Sequence, residues 1–190
     1  MKTLGVILAG GNSTRFGEDK SLYKIDGKPM VEHIADIIKA SHAADEIIVS
    51  TNSRLKTAFN YETVTDDDRF TDKGPIGGLF AAASAYPDSR LLVVSCDTPY
   101  VPARWLRKLH DAALADSETL VLTKEGDRIH PLIAVYQGQD LAESLEAQLR
   151  TGRLSMKAFF EHRKTVILDA KENGVPKDAL VNINRRTDIL

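Results

Sequence analysis

Three groups of residues in this chain have the types and spacing to do chemistry. The first is Gly10-Gly11-Asn-Ser-Thr-Arg15-Phe-Gly17-Glu-Asp19-Lys20, directly after the apolar run Leu4 to Ala9. A glycine pair lets the main chain approach an anion without Cβ atoms in the way. Successive backbone N–H groups in such a turn make an anion-binding concavity, and Arg15 and Lys20 bring fixed positive charge for phosphate oxygens. Asp19 either orients Lys20 or caps the segment that follows, and Gly17 serves the loop's geometry. The second group is Ser95-Cys96-Asp97-Thr-Pro-Tyr100, after the apolar stretch Leu91 to Val94. A carboxylate at a strand end, facing a phosphate loop, suits Mg²⁺, which keeps its waters and shares phosphate oxygens with few protein ligands. Asp97 stands too early to cap the helix that Pro102 opens, and Cys96 reads as a small buried hydrophobe. The third group is the acidic run Asp66-Asp67-Asp68, which precedes the tight turn Gly74-Pro75-Ile-Gly77-Gly78. Such a run is either a solvated turn or the source of one further site carboxylate. Together these groups describe a polyphosphate held beside a divalent cation.

Other chemistries find no support. The loop is neither G-x-x-x-x-G-K-[ST] nor G-x-G-x-x-G, and no H-E-x-x-H, cysteine pair or G-x-S-x-G occurs. His33, His42, His110 and His162 fall on helical patterns or their ends and read as structural. His130, in His130-Pro131 before a late β-type run, reads either as a turn or core residue or as part of the site. The 190 residues fit one domain, 1–190, with a net charge of −2 that offers nothing to nucleic acid or an anionic membrane. Phosphate binding therefore rests on locally placed cations. One cysteine makes no intramolecular disulfide, and no apolar stretch approaches the roughly 20 residues of a membrane span. A cytoplasmic location is expected.

The elements that must position these groups alternate. Strands are expected at Thr3 to Leu8, Glu46 to Thr51, Tyr61 to Thr65 and Leu91 to Ser95, and helices at Pro29 to Ala40, Ile76 to Tyr86 and Pro102 to Leu114. Pro75 suits a helix start, and Gly77-Gly78 reads more as close helix packing than as ligand contact. Thr119 to Thr123 and Leu132 to Tyr136, separated by the turn-rich Lys124 to Asp127, are expected to pair as a hairpin. Helices at Gln139 to Arg150 and Ser155 to His162 and a strand at Thr165 to Leu168 follow. The fold class is α/β, a Rossmann-like, mostly parallel sheet with helices on both faces, and its ligands are expected outside the carboxyl ends of the strands.

Leu8-Ala-Gly-Gly11, Arg15, Gly17 and Asp19-Lys20 together resemble the signature of nucleotidyltransferases with a Rossmann-like core. Through Gly27-Lys-Pro-Met30, Gly74-Pro-Ile-Gly-Gly78, Cys96-Asp-Thr-Pro-Tyr100, His130-Pro131 and Val181-Asn-Ile-Asn184 the chain resembles, along essentially its whole length, the molybdenum cofactor guanylyltransferases. That resemblance implies Mg²⁺-dependent transfer of GMP from GTP to the terminal phosphate of molybdenum-bound molybdopterin, with release of pyrophosphate. It implies nucleotide contacts at Leu8, Ala9, Gly10, Gly11, Lys20, Asp67 and Asp97, with Asp97 also the metal ligand and Lys20, Arg15 and Asp97 carrying the catalysis. Asn182, Asn184 and His130 fall on the acceptor side. A cofactor handed between proteins further implies transient docking to partners that deliver or receive it. Two features depart from the family pattern: Ser50 stands where some members place asparagine, with Asn52 nearby, and Arg185-Arg186 follows the Asn-x-Asn tail. The competing readings are a cytidylyltransferase on the same or another phosphate acceptor, and a non-catalytic nucleotide-binding module.

Overall fold

The computed structural model describes residues 1–10 and 19–189. Gly11, Arg15 and Gly17 lie outside the described residues. In chain order the elements are β1 (Lys2–Leu8), the short β2 (Lys24–Ile25) and β3 (Lys28–Pro29), α1 (Met30–Ser41), β4 (Glu46–Thr51), β5 (Glu62–Thr65), α2 (Pro75–Ala85) and β6 (Ser89–Ser95). After these come α3 (Ala103–Ala113), β7 (Leu120–Glu125), β8 (Arg128–Tyr136), α4 (Leu141–Arg150), α5 (Met156–Phe160) and β9 (Thr165–Asp169). The expected strand–helix alternation holds in the main through α3, and after it the pattern changes to the β7–β8 pair followed by two helices and β9.

Seven strands form one sheet in the order β5-β4-β1-β6-β8-β7-β9. β5, β4, β1 and β6 are mutually parallel; β8 runs antiparallel to both β6 and β7, and β9 runs parallel to β7, so that six of the seven strands share one direction. The expected hairpin of β7 and β8 is therefore inserted with β8 against β6, which places β8's chain beside the carboxyl end of the central strands. Apolar residues alternate by face, as a two-residue period demands. Leu92 and Val94 of β6 pack with α1 and α3 through Ile34, Ile38, Trp105 and Leu109. Leu91 and Val93 pack oppositely, with α2, α4 and α5 through Leu79, Leu145 and Phe159. The buried residues of α3 are Trp105, Leu106, Leu109 and Ala113, the stripe its spacing predicts.

Two local devices bring backbone to the site. Gly74 precedes α2 at φ +70°, a region that glycine enters without a Cβ penalty, and Pro75 then opens the helix. Gly78 lies so close to β4 that a Cβ there would stand 2.6 Å from the Ser50 hydroxyl oxygen, which itself donates to the Gly78 carbonyl at 3.1 Å. The Gly77-Gly78 pair thus serves packing.

The sequence reading missed the β2–β3 turn, whose Ile25 joins Met30 and Ile183 in a small third core. That core pins the carboxyl-terminal segment against the main fold. α4 starts later than expected, at Leu141, because Gly138 at φ +129° turns the chain first.

Candidate active site

The carboxyl ends of β1, β4 and β6 lie side by side, with Leu8 in register with both Ser50 and Ser95. Pairing runs one residue beyond the strands, since the Ala9 N–H donates to the Ser50 carbonyl and the Cys96 N–H to the Leu8 carbonyl. Gly10, Lys20 and Asp97 are thereby carried to one rim.

Lys20 and Asp97, 77 residues apart, meet at that rim: Lys20 Nζ donates to Asp97 Oδ2 at 2.9 Å. The same ammonium donates to Asn184 Oδ1 at 3.0 Å, and Asn182 Nδ2 reaches Asp97 Oδ2 at 3.4 Å. Ser95 Oγ donates to the other oxygen, Oδ1, at 2.6 Å. The Ile183 N–H donates to the Asp97 carbonyl at 2.8 Å, so the Asn-x-Asn tail is held by main chain as well as side chain. Lys20 and Asp97 side chains are only 13% and 15% exposed, which shields their attraction from full aqueous screening. Neither Asp97 nor its turn caps α3, whose N-cap position is Pro102. Asp19 does not hold Lys20. Its Oδ1 accepts from the Ser21 N–H and hydroxyl, and its Oδ2 accepts from Arg54, so it fixes the chain just after the glycine loop.

A cavity opens beside this rim, lined by Gly10, Asn52, Asp66, Asp72, Gly74 and Ser95 among others. A second lobe runs from Ala9 and Gly10 past Lys20 to Asp97. Of the acidic run, Asp66 lines the cavity and Asp67 does not. Asp67 accepts from the N–H, Nε and Nη2 of Arg69 as N-cap of a single 3₁₀ turn, which holds its carboxyl down at about 2. Burial pushes the Asp66 carboxyl above its ordinary value. Asp67, on which the resemblance put a nucleotide contact, is thus engaged with Arg69 through a two-residue Asx turn, and Asp66 is the carboxylate of the run that lines the cavity. Ser50, buried, is spent on Gly78, and Asn52 accepts from the Leu55 N–H while lining the cavity. Cys96 is buried and its thiol is pushed far up by desolvation, as an inert core residue requires.

Sequence reasoning overlooked Asp72, Asn52's capping bond, Arg54 and Leu132 at this rim. Asp72 and Arg54 follow short turns whose direction no periodicity announces. Among the described residues no three His, Cys, Asp or Glu side chains gather as a metal cage. The chemistry of the rim fits a Mg²⁺ ion all the same, because that ion takes one or two carboxylates plus phosphate oxygens and water. Asp97, aimed by Ser95 and Asn182, is the residue that would hold it.

His130 is buried, 5% exposed, and its Nε2 has no hydrogen-bond partner among the described residues, with Glu125 Oε2 at 3.8 Å. Burial, with Arg128 adding to it, lowers the imidazole to about 4 from 6.5. The unfolded chain then takes up a proton as pH falls through 6.5 while the folded chain does not until about 4. Stability from this group is fully present above 6.5 and is lost progressively down to about 4. Urea unfolding of the native chain should therefore give a midpoint that falls with pH over that interval, and His130→Leu should flatten the slope there. An unchanged slope would place the pH dependence on other groups.

No helix among the described residues is long and apolar enough to cross a membrane. A family model described as the MobA-like NTP transferase domain matches residues 5–166. Among solved structures, molybdopterin-guanine dinucleotide biosynthesis protein A from Archaeoglobus fulgidus superposes with a TM-score of 0.81 at 21% identity, over 98% of this chain and 95% of that one. A nucleotidyl transferase from Methanothermobacter gives 0.73 at 19% identity, over 98% and 94%. A Mycobacterium tuberculosis protein solved as a complex with manganese gives 0.59 at 17%, over 89% of each chain. At these identities the likenesses concern the fold, and the family match reaches further: the chain belongs to the MobA-like NTP transferase domain family and is a nucleotidyltransferase.

Proposed function

We propose that this chain transfers GMP from GTP to the terminal phosphate of molybdenum-bound molybdopterin. The observation that carries the reading is the convergence of Lys20, Asp97, Asn182 and Asn184 at one rim, beside a cavity walled by Gly10 and Asp66. A donor loop, a metal carboxylate and acceptor-side amides are the three parts that such a transfer needs. An acceptor phosphate oxygen bonds to the α-phosphorus of GTP as the bond to the bridging oxygen breaks, and the electron pair leaves on pyrophosphate. Lys20 stands where its charge passes from Asp97 to the leaving pyrophosphate oxygens, and Arg15 is assigned the same role. Asn182 and Asn184 orient the acceptor phosphate and hold Asp97 and Lys20 in register. Mg²⁺, when bound, supplies Lewis-acid neutralisation of phosphate charge. No nucleophilic side chain is needed.

Guanine is favoured by the carboxylate that lines the cavity. Its ring N–H and 2-amino group point two donors the same way, which one carboxylate, Asp66, accepts together, whereas cytosine offers a single amino donor. GTP with Mg²⁺ at about 100 times its Kd should raise Tm by about 5 to 10 °C, and CTP at the same concentration by much less. Equal shifts would leave the nucleotidyltransferase without a guanine preference. Pyrophosphate release that depends on added molybdopterin separates the enzyme from a module that only binds nucleotide.

A further inference from the structure

β8 does not pair evenly with β7. Leu122 faces Ala134, yet Thr123 faces His130, so Pro131, Leu132 and Ile133 bulge with no residue opposite on β7, while Ile133 still pairs with Val94 of β6. The bulge is built into the core. The Pro131 carbonyl accepts from the hydroxyl of buried Tyr136 at 2.8 Å, and the Ile133 carbonyl accepts from Thr123 Oγ1 at 2.6 Å. Thr123 Oγ1 in turn accepts from the indole N–H of Trp105 at 3.0 Å. Bulges re-aim side chains beside active sites, and this one has two results. Leu132 becomes a wall of the nucleotide cavity, and His130 lines a separate cavity with Ser95, Thr98, Arg128 and Asn182. Ser95 and Leu132 belong to both cavities, so the two share a wall at the Asp97 rim.

A buried imidazole nitrogen without a partner is rare in a native fold and calls for an explanation. Nothing in the nucleotide cavity supplies one, because His130 is not part of its wall. We propose that the bulge of β8 builds the subsite for the acceptor's heterocyclic head, and that His130 Nε2 makes a hydrogen bond to that ring. The inference rests on the acceptor reading above and adds to it the part of the acceptor that this cavity takes. Held neutral by its surroundings, the ring is a poor partner for phosphate and a good one for an uncharged heterocycle that has N–H groups and ring nitrogens. Ile129 and Pro131 give apolar walls for a flat ring, while Asn182 and Thr98 add polar groups, and exposed Arg128 stands at the edge. The acceptor's phosphate then extends along Asn182 to Asp97 and Lys20, where the cation is.

The test uses 6-hydroxymethylpterin, a fluorescent pterin without phosphate, and intact molybdopterin handled anaerobically, with the full chain and its His130→Leu and His130→Gln variants. His130→Leu removes the unpartnered nitrogen but keeps an apolar side chain, so its stability should equal or exceed that of the native chain. Its affinity for both pterins should fall about tenfold, the loss of one hydrogen bond in a buried site, with the GTP affinity unchanged. His130→Gln, which retains a donor and an acceptor, should recover part of the binding. That combination, more stable and yet weaker for pterin alone, is not what a purely structural histidine would give. Equal pterin binding by the native chain and both variants overturns the role of His130 and leaves the acceptor reading standing. Native binding of molybdopterin but not of 6-hydroxymethylpterin overturns the ring subsite alone. Binding of neither, with GTP still bound, overturns both.

Discussion

Asp97→Asn is expected to leave the fold intact and to slow GMP transfer at least 10²- to 10³-fold. The side chain keeps its size and, with its amide oxygen in the Oδ1 position, the bond from Ser95, so the turn after β6 has no reason to move, while the amide nitrogen in the Oδ2 position no longer accepts from Asn182. What disappears is the negative charge. Lys20 loses the carboxylate that fixes its ammonium at 2.9 Å, and the rim loses a carboxylate oxygen suited to a hard cation. Charge contacts preorganised for the transition state are worth roughly 3–4 kcal/mol each when one is removed, which sets the lower bound. Two such contacts are coupled here, so the loss should exceed that of either alone. Pyrophosphate release under saturating GTP, Mg²⁺ and acceptor measures it, with circular dichroism as the control for folding. Transfer within about fivefold of the native rate would remove Asp97 from the catalytic assignment. Lys20→Met separates the two roles: it should slow transfer comparably and also weaken GTP binding, whereas Asp97→Asn should weaken it chiefly when Mg²⁺ is supplied.

The frame of this site was legible in the sequence because local signals and global packing agree. β1, β4 and β6 are apolar runs bounded by glycine or polar turns, and α3 carries a stripe that could only face inward. Asp97 and Lys20 were readable as site residues from their position just past two such strands. Their contact was not, because nothing local links positions 77 residues apart. Asp66 and Asp67 illustrate a finer limit. Three successive aspartates carry no periodicity, and what sets them apart is Arg69, which captures Asp67 with three bonds and leaves Asp66 lining the cavity. β8 failed differently. Its first half contains a proline and holds no regular alternation, so the pattern predicts a run only from Leu132, whereas the strand starts at Arg128 and bulges on the way. The bulge depends on Tyr136, Thr123 and Trp105, a tertiary network that no window of sequence contains. The tail asparagines were singled out by resemblance alone; their contacts with Asp97 and Lys20 exist because Ile183 anchors in the small core with Ile25 and Met30.

At the opposite end of the sheet from the site, the largest loss of stability is expected from Gln137→Leu, about 3–5 kcal/mol. Gln137 is fully buried just after β8, and its amide is the hub of a polar knot. Its Oε1 accepts from Arg90 Nε at 2.6 Å, and its Nε2 lies 3.0, 2.8 and 2.8 Å from the carbonyls of Ala113, Asp116 and Thr119. Arg90, 5% exposed at the start of β6, has no carboxylate within ion-pair distance among the described residues. Its remaining bonds, to Thr3 Oγ1 and the Ala113 carbonyl, are both long at 3.4 Å. Leucine at 137 would therefore strand a buried guanidinium and up to three carbonyls at once, and Tm should fall by about 6 to 20 °C. The costs are not additive. Arg90→Met removes the charge instead of its acceptor, so it should be milder, and adding it to Gln137→Leu should recover part of the loss, since a buried polar group is expensive chiefly when its partner alone is taken away. Thermal unfolding of the two single variants and the double variant closes this cycle. A Gln137→Leu chain within about 1 kcal/mol of native, or a double variant worse than the sum of the singles, would mean that water rather than Gln137 satisfies Arg90. GTP-induced stabilisation should be unchanged in all three, because β6 joins the knot at Arg90 to the rim at Ser95 through four residues, Leu91 to Val94, already locked in register with β1 and needs no signal to pass between them.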